Sequence, residues 1–118
     1  CASIFSAIAR CACTFLNGIG IPRETTPPAS GISLDPLETL QAVVWVVTRV
    51  SNCAEAFALA CSLGGDTDTV AALSGALFAA RWPEKADFYS IPWIKDVAWA
   101  EVEEDLMICA DMLEKRYG

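Results

Sequence analysis

Apolar side chains recur at helical spacing in several separate segments, and this periodicity constrains the fold more than any other feature of the sequence. Five segments show it, over about residues 2–16, 36–47, 52–62, 67–81 and 99–116. The segment from residue 36 is apolar almost all round, which is typical of a helix at the centre of a bundle. The pattern therefore predicts an all-α fold built as a multi-helix bundle.

Two helix starts carry capping signals. Asp35 precedes Pro36 and is followed at the third helical position by Glu38, and the pair Asn52 and Glu55 repeats the pattern. Because the turn between these two helices is very short, we expect them to pack as a hairpin.

Chain length and composition indicate one soluble domain. The chain has 118 residues, so we expect a single helical domain over residues 1–118. With 54% hydrophobic and 19% charged residues, it should fold around a dense core. No uncharged apolar run reaches the roughly 18 residues of a membrane helix, so we expect a cytoplasmic protein without a membrane partner. The net charge of −7 argues against nucleic acid, whose binding proteins usually carry basic patches.

The six cysteines do not resemble a disulfide framework or a zinc site. Five of them lie in apolar helical contexts, at Cys11, Cys13, Cys53, Cys61 and Cys109, and are expected to be buried free thiols. The chain has no histidine and no Cys-x-x-Cys pair, which excludes the usual zinc sites and any mechanism with an imidazole base.

The stretch Gly64-Gly65-Asp66-Thr67-Asp68-Thr69 is the best candidate for chemistry. Two glycines let the chain pass close to a ligand, and the helix expected from Thr67 presents free N–H groups and a positive dipole end. Asp66 and Asp68 can converge because one of them precedes the helix or lies in its first turn. Carboxylate and hydroxyl oxygens together suit a hard cation such as Mg²⁺. The alternative is a capping acid after a glycine turn, which is the commoner reason for such spacing.

A second group of acids opens the last helix, at Glu101, Glu103, Glu104 and Asp105, and basic residues close it. This order is the one that the helix dipole favours, so we interpret these acids as a solvated face.

The run from Leu63 to Leu77 closely resembles the C-terminal signature of the ADP-ribosylglycohydrolase family. The resemblance covers the chain from about Gly31 to the end and implies an orthogonal multi-helix bundle like the C-terminal half of that fold. It further implies a two-metal site holding Mg²⁺, or Mn²⁺ in its place, with Asp66, Asp68 and Thr69 as ligands. The implied activity is metal-assisted hydrolysis of an ADP-ribosyl N- or O-glycosidic bond, with an ADP-ribose-type ligand.

A proline-rich segment from Gly18 to Leu34 is expected to form a long loop. In the family that this chain resembles, the connection before the next helix lies near the substrate cleft. Gly31, Ile32 and Ser33 are therefore candidate substrate-binding residues. The alternative is a crossover on the surface without contact to a ligand.

The family's other metal ligands come from an N-terminal Thr-Asp-Asp type motif, which this sequence does not contain. The catalytic residues consequently stay unknown, and we expect the chain alone to be an incomplete and inactive hydrolase. Because Cys1 is not an initiator methionine, we expect further coding sequence before it. The chain would then be part of a larger hydrolase or would pair with a missing N-terminal half. The alternative is a small helical binding or structural protein from a truncated gene, which would form a homo-oligomer to cover apolar surface.

Overall fold

A computed structural model of the chain describes residues 26–117. It contains four α-helices, α1 (Pro36–Val47), α2 (Cys53–Ser62), α3 (Thr67–Arg81) and α4 (Glu103–Tyr117). Four short 3₁₀ turns connect α3 to α4, at Pro83–Lys85, Phe88–Ser90, Ile94–Asp96 and Trp99–Glu101. The described residues form no β-strand, so the predicted all-α fold is confirmed. The helix predicted over residues 2–16 lies outside the described residues, as do Cys11 and Cys13.

Side-chain caps fix the starts of α1 and α2 where the sequence predicts them. Asp35 Oδ1 accepts hydrogen bonds from the backbone N–H groups of Leu37, at 2.7 Å, and Glu38, at 3.4 Å. Asn52 Oδ1 accepts one from Glu55 N at 2.9 Å. These bonds satisfy N–H groups that have no partner within the helix. The two helices are joined by residues 48–52 and pack against each other.

The core lies among α1, α2 and α3. Its main cluster holds eight buried residues, Ile32, Ala42, Val43, Val46, Val47, Ala56, Ala60 and Val70. A second cluster joins Cys53 and Phe78 to Ile91, which comes from the connection after α3. Ile32 is only 3% exposed, so the segment before α1 is anchored in the main core.

Small residues recur at four-residue spacing on α3, at Ala71, Gly75 and Ala79, which lets another helix approach closely. A Cβ atom at Gly75 would lie 2.6 Å from Cζ of Phe57, which projects from α2. The Phe57 ring is itself held by the ring of Trp93, at a centroid distance of 5.6 Å. A larger residue at position 75 would therefore force this aromatic contact apart.

The end of the chain differs from the sequence-based expectation in two respects. The early proline of Ile91-Pro92-Trp93 predicts a further helix start, but this segment forms only a turn and the 3₁₀ helix Ile94–Asp96. The last helix begins at Glu103 and not near Trp99, where a separate 3₁₀ turn lies. The α-helical conformation ends after Arg81 because Trp82 has φ −134° and ψ 69°, and Pro83 has no backbone N–H to continue the helix.

All of the α4 side chains described, from Glu103 to Arg116, are exposed. The large apolar ones include Leu106, Ile108 and Leu113, each at least half exposed. The apolar stripe predicted on this helix exists, but the other described residues leave about half of its large side chains' surface exposed. For the same reason Cys109 is exposed, and so is Cys61 at the end of α2, so the prediction of buried thiols was wrong for both. Cys53 is buried and free, and its burial raises the pKa of the thiol.

No helix in residues 26–117 has both the length and the apolar character needed to cross a membrane.

Candidate metal site

Two loops meet directly in front of α3. The backbone N–H of Ile32 donates to Gly64 O at 3.0 Å, and the N–H of Asp66 donates to Ile32 O at 2.8 Å. Ile32 and Gly65 thereby form an isolated parallel bridge. The loop before α1, proposed from the sequence as a cleft lining, is thus hydrogen-bonded to the loop that carries Asp66.

Glycine is required on both sides of this bridge. Gly31, Gly64 and Gly65 have positive φ angles of 93°, 74° and 73°. A Cβ atom at Gly65 would lie 2.0 Å from Ile32 O, and one at Gly31 would lie 2.8 Å from Gly65 N. At Gly64 the nearest atom would be 3.6 Å away, which is ordinary contact. The close approach therefore depends on Gly31 and Gly65, while Gly64 supplies only the backbone conformation.

The side chain of Asp66 does not cap α3. Asp66 occupies the N-cap position with φ −74° and ψ 55°, and its carboxylate makes no capping hydrogen bond. Its Oδ1 atom instead accepts a hydrogen bond from the Thr69 hydroxyl at 2.9 Å. For Asp66 the geometry thus departs from the capping alternative and turns the carboxylate toward Thr69.

Asp68 belongs to the same group of oxygens. A hydrogen bond with the Asp66 carboxyl group lowers the pKa of Asp68, and the backbone N–H groups of Thr69 and Asp68 lower it further. The pKa of this carboxyl group therefore lies below its ordinary value. The helix start keeps a charged, solvent-exposed carboxylate beside Asp66.

The oxygen donors in this set are of the chemical type that a hard divalent cation binds. There are too few of them for a complete site. Two carboxylates and one hydroxyl are oxygen donors of the kind that Mg²⁺ and Mn²⁺ take. Within residues 26–117, however, no group of three or more His, Cys, Asp or Glu side chains is close enough to hold a metal ion. The oxygen donors of this candidate site therefore come from one helix start alone among the described residues.

The three candidate substrate-binding residues differ in their surroundings. The side chain of Ile32 lies in the core, whereas Gly31 is half-buried and Ser33 is exposed. A pocket of about 230 Å³ adjoins this loop, and its lining consists of Thr26, Pro27, Pro28, Ile32, Glu38, Gln41 and Ala42. A second pocket, of about 410 Å³, lies between α4 and the 3₁₀ turns. Neither pocket is lined by Asp66, Asp68 or Thr69.

The contact between Glu38 and Ser33 was not predicted from the sequence. Its Oε2 atom accepts hydrogen bonds from both the backbone N–H of Ser33, at 2.9 Å, and the Ser33 hydroxyl, at 2.6 Å. Both bonds lower the pKa of the Glu38 carboxyl group, and the bond from the Ser33 hydroxyl has the larger effect. The available signal was a Glu at the third position of α1, which the sequence interpretation assigned to the helix cap.

Comparison with known proteins agrees with the resemblance. A family model described as ADP-ribosylglycohydrolase matches residues 9–118, so the match begins before residue 31, where the sequence reading placed the start of the resemblance. Searches of curated proteins and of solved structures each found no match. Because the family model spans nearly the whole sequence and the described residues are all-α, this chain belongs to the ADP-ribosylglycohydrolase family.

Proposed function

We propose that Asp66, Asp68 and Thr69 form one half of a divalent-cation site for the hydrolysis of an ADP-ribosyl N- or O-glycosidic bond. The observation that carries this proposal is the contact of the Thr69 hydroxyl with the Asp66 carboxylate, in place of a helix cap. The lowered pKa of Asp68, caused first by its contact with the Asp66 side chain, supports it. Membership of the family supplies the reaction class.

Each part of the site has a separate role in this proposal. The two carboxylates supply negative charge, and the Thr69 hydroxyl orients Asp66 while keeping oxygen lone pairs for a ligand. The positive end of the α3 dipole favours carboxylates at this position. Mg²⁺ or Mn²⁺ bound here would supply Lewis-acid chemistry for the attack of water and a contact for the sugar hydroxyls.

We further propose that this chain alone is inactive as a hydrolase. Mg²⁺ prefers about six oxygen ligands in near-octahedral geometry, and three oxygens from one helix start leave the other half to water or to further protein groups. The single domain over residues 1–118 would then be the C-terminal portion of the catalytic domain. An ADP-ribose-type ligand would contact Gly31 and Ser33 through the loop bonded to Asp66.

Metal titration tests the half-site. We expect Mg²⁺ or Mn²⁺ to raise the melting temperature, because a ligand at ten times its Kd stabilises the native state by about 1.4 kcal/mol. Asp68→Asn should abolish the shift. Asp87→Asn, at an exposed acid after α3 without a capping bond, should leave it unchanged. No response at millimolar metal, or an equal response in Asp68→Asn, would contradict the proposal.

A second candidate function is supported by α4. Its apolar face is exposed along its length, which favours a non-catalytic helical protein that associates with a second copy of itself. The helix has acidic residues in its first turn and Lys115 and Arg116 in its last, so two antiparallel copies would bring opposite charges together. In this alternative the half-site would be a remnant of the family, in a cytoplasmic protein without nucleic acid or membrane partners.

A further inference from the structure

We infer that Glu38 is a positioning residue for Asp66, acting through Ser33 and Ile32. It lies on α1 and not on the loop that carries the carboxylates. The effect on metal binding rests on the proposed function. The series of contacts from Glu38 to Asp66 does not.

The first link is the contact between Glu38 and Ser33. One carboxylate oxygen receives both the backbone N–H and the hydroxyl of Ser33, at 2.9 and 2.6 Å. The Ser33 hydroxyl oxygen in turn accepts the N–H of Asp35 at 3.2 Å. Bonds to a charged acceptor are stronger than neutral ones, so this pair fixes the backbone of Ser33 against the first turn of α1.

The second link is Ile32, the direct neighbour of Ser33. Its side chain is held in the core, and its N–H and C=O groups are bonded to Gly64 O and Asp66 N. The bridge has little room to adjust, since a Cβ atom at either Gly31 or Gly65 would clash with the opposite backbone. A displacement of the Ser33 backbone would therefore also displace the Ile32 carbonyl oxygen.

The third link is the backbone of Asp66. Its N–H is bonded to Ile32 O at 2.8 Å, and its carbonyl oxygen accepts the N–H of Val70 at 3.2 Å. Because the Asp66 side chain has no capping bond, these two backbone bonds and the Thr69 hydroxyl set its direction. Loosening the Ile32 bond leaves the carboxylate free to turn away from Thr69. Glu38 therefore supports a proposed metal ligand through Ser33 and Ile32, as residues bonded to a metal ligand support it directly.

The chain contains a matched control at the start of α2. Glu55 Oε2 accepts the backbone N–H of Ser51 at 2.7 Å, and Asn52 caps the helix as Asp35 caps α1. Within residues 26–117, Ser51 makes no backbone hydrogen bond to residues 64–66. Removing Glu55 should therefore affect stability much as removing Glu38 does, without affecting the Asp66 loop.

Amide hydrogen exchange in the metal-free protein is the first test, with Glu38→Ala, Glu55→Ala and the conservative Glu38→Gln. Loss of Glu38 should speed exchange at the Ile32 and Asp66 amides by about tenfold, because it loosens the segment that holds their hydrogen bonds. Glu55→Ala should leave these two rates near wild type, and Glu38→Gln should restore part of the protection. Ser33→Ala, which removes only the hydroxyl contact, provides a milder variant should Glu38→Ala not fold.

The second test is Mn²⁺ affinity, measured well below the melting temperature of each variant. Changes to residues that hydrogen-bond a metal ligand weaken metal binding by about 10–100-fold, and we expect Glu38→Ala, which acts through Ser33 and Ile32, to lie near the lower limit. Equal exchange rates at Ile32 and Asp66 in Glu38→Ala and Glu55→Ala would overturn the inference. If the wild type binds no Mn²⁺ but exchange responds as expected, the proposed function fails and the positioning role stands.

Discussion

At the scale of single residues, the candidate metal site depends on Gly65, where a side chain would collide with the Ile32 carbonyl oxygen. Gly64 and Gly65 share the same left-handed backbone conformation, yet only Gly65 lies against Ile32. The two neighbours therefore separate the effect of conformation from the effect of close approach.

We predict that Gly65→Ala destabilises the protein more than Gly64→Ala. Either alanine meets the penalty of about 1–2 kcal/mol for a left-handed residue with a Cβ atom. At Gly65 the clash with Ile32 O also breaks the bridge, and each lost hydrogen bond removes about 1 kcal/mol. Urea denaturation should show the difference as a lower free energy of unfolding for Gly65→Ala. Equal losses would mean that the two loops separate without effect on stability.

The sequence predicts candidate site residues, but it does not predict the contacts around them. The spacing of Asp66, Asp68 and Thr69 after two glycines indicates a cation site because these features are local. The bridge joins Ile32 to Gly65, which are far apart in sequence, and no local pattern predicts that pairing. The sequence did not predict the contact between Glu38 and Ser33 either, because an acid at the third helical position also matches a capping pattern.

At the scale of helices, the starts and ends were predictable wherever capping residues mark them. The bounds of α3, Thr67–Arg81, agree with the sequence prediction, and α1 and α2 begin directly after their caps. α4 was less well predicted, because periodicity identifies an apolar face without saying what covers it. Its exposure follows from the arrangement of the whole chain.

We predict that Gly75→Ala destabilises the bundle although alanine is the better helix former. The propensity gain is about 1 kcal/mol, whereas forcing extra volume into a packed core typically removes about 1–3 kcal/mol. The Phe57 ring cannot yield easily, because the rings of Phe88 and Trp93 hold it. Thermal melts of the single variant should show the loss.

The control is the same change in a Phe57→Leu background. Leucine lacks the ring atoms that the new Cβ would meet, so Gly75→Ala should there be neutral or stabilising. A destabilisation of the same size in both backgrounds would assign the effect to some contact other than Phe57.

At the scale of the whole molecule, the described core lies mainly among α1, α2 and α3, and α4 contributes no residue to it. We predict that the protein self-associates through α4 and that Leu113→Glu shifts it toward the monomer. Leu34→Glu is the matched control, because Leu34 is 83% exposed but lies in the loop before α1. Sedimentation velocity distinguishes the species. A wild-type monomer, or equal effects of the two substitutions, would exclude α4 as the interface.

The position of bound Mn²⁺ is the most direct test of the half-site. Paramagnetic broadening of the backbone amide signals should be strongest at residues 66–69 and should disappear in the double variant Asp66→Asn, Asp68→Asn. The acids at the start of α4 are the competing cation-binding group on the same chain. Broadening centred on Glu103, Glu104 and Asp105, or broadening that persists in the double variant, would contradict a cation site at the start of α3.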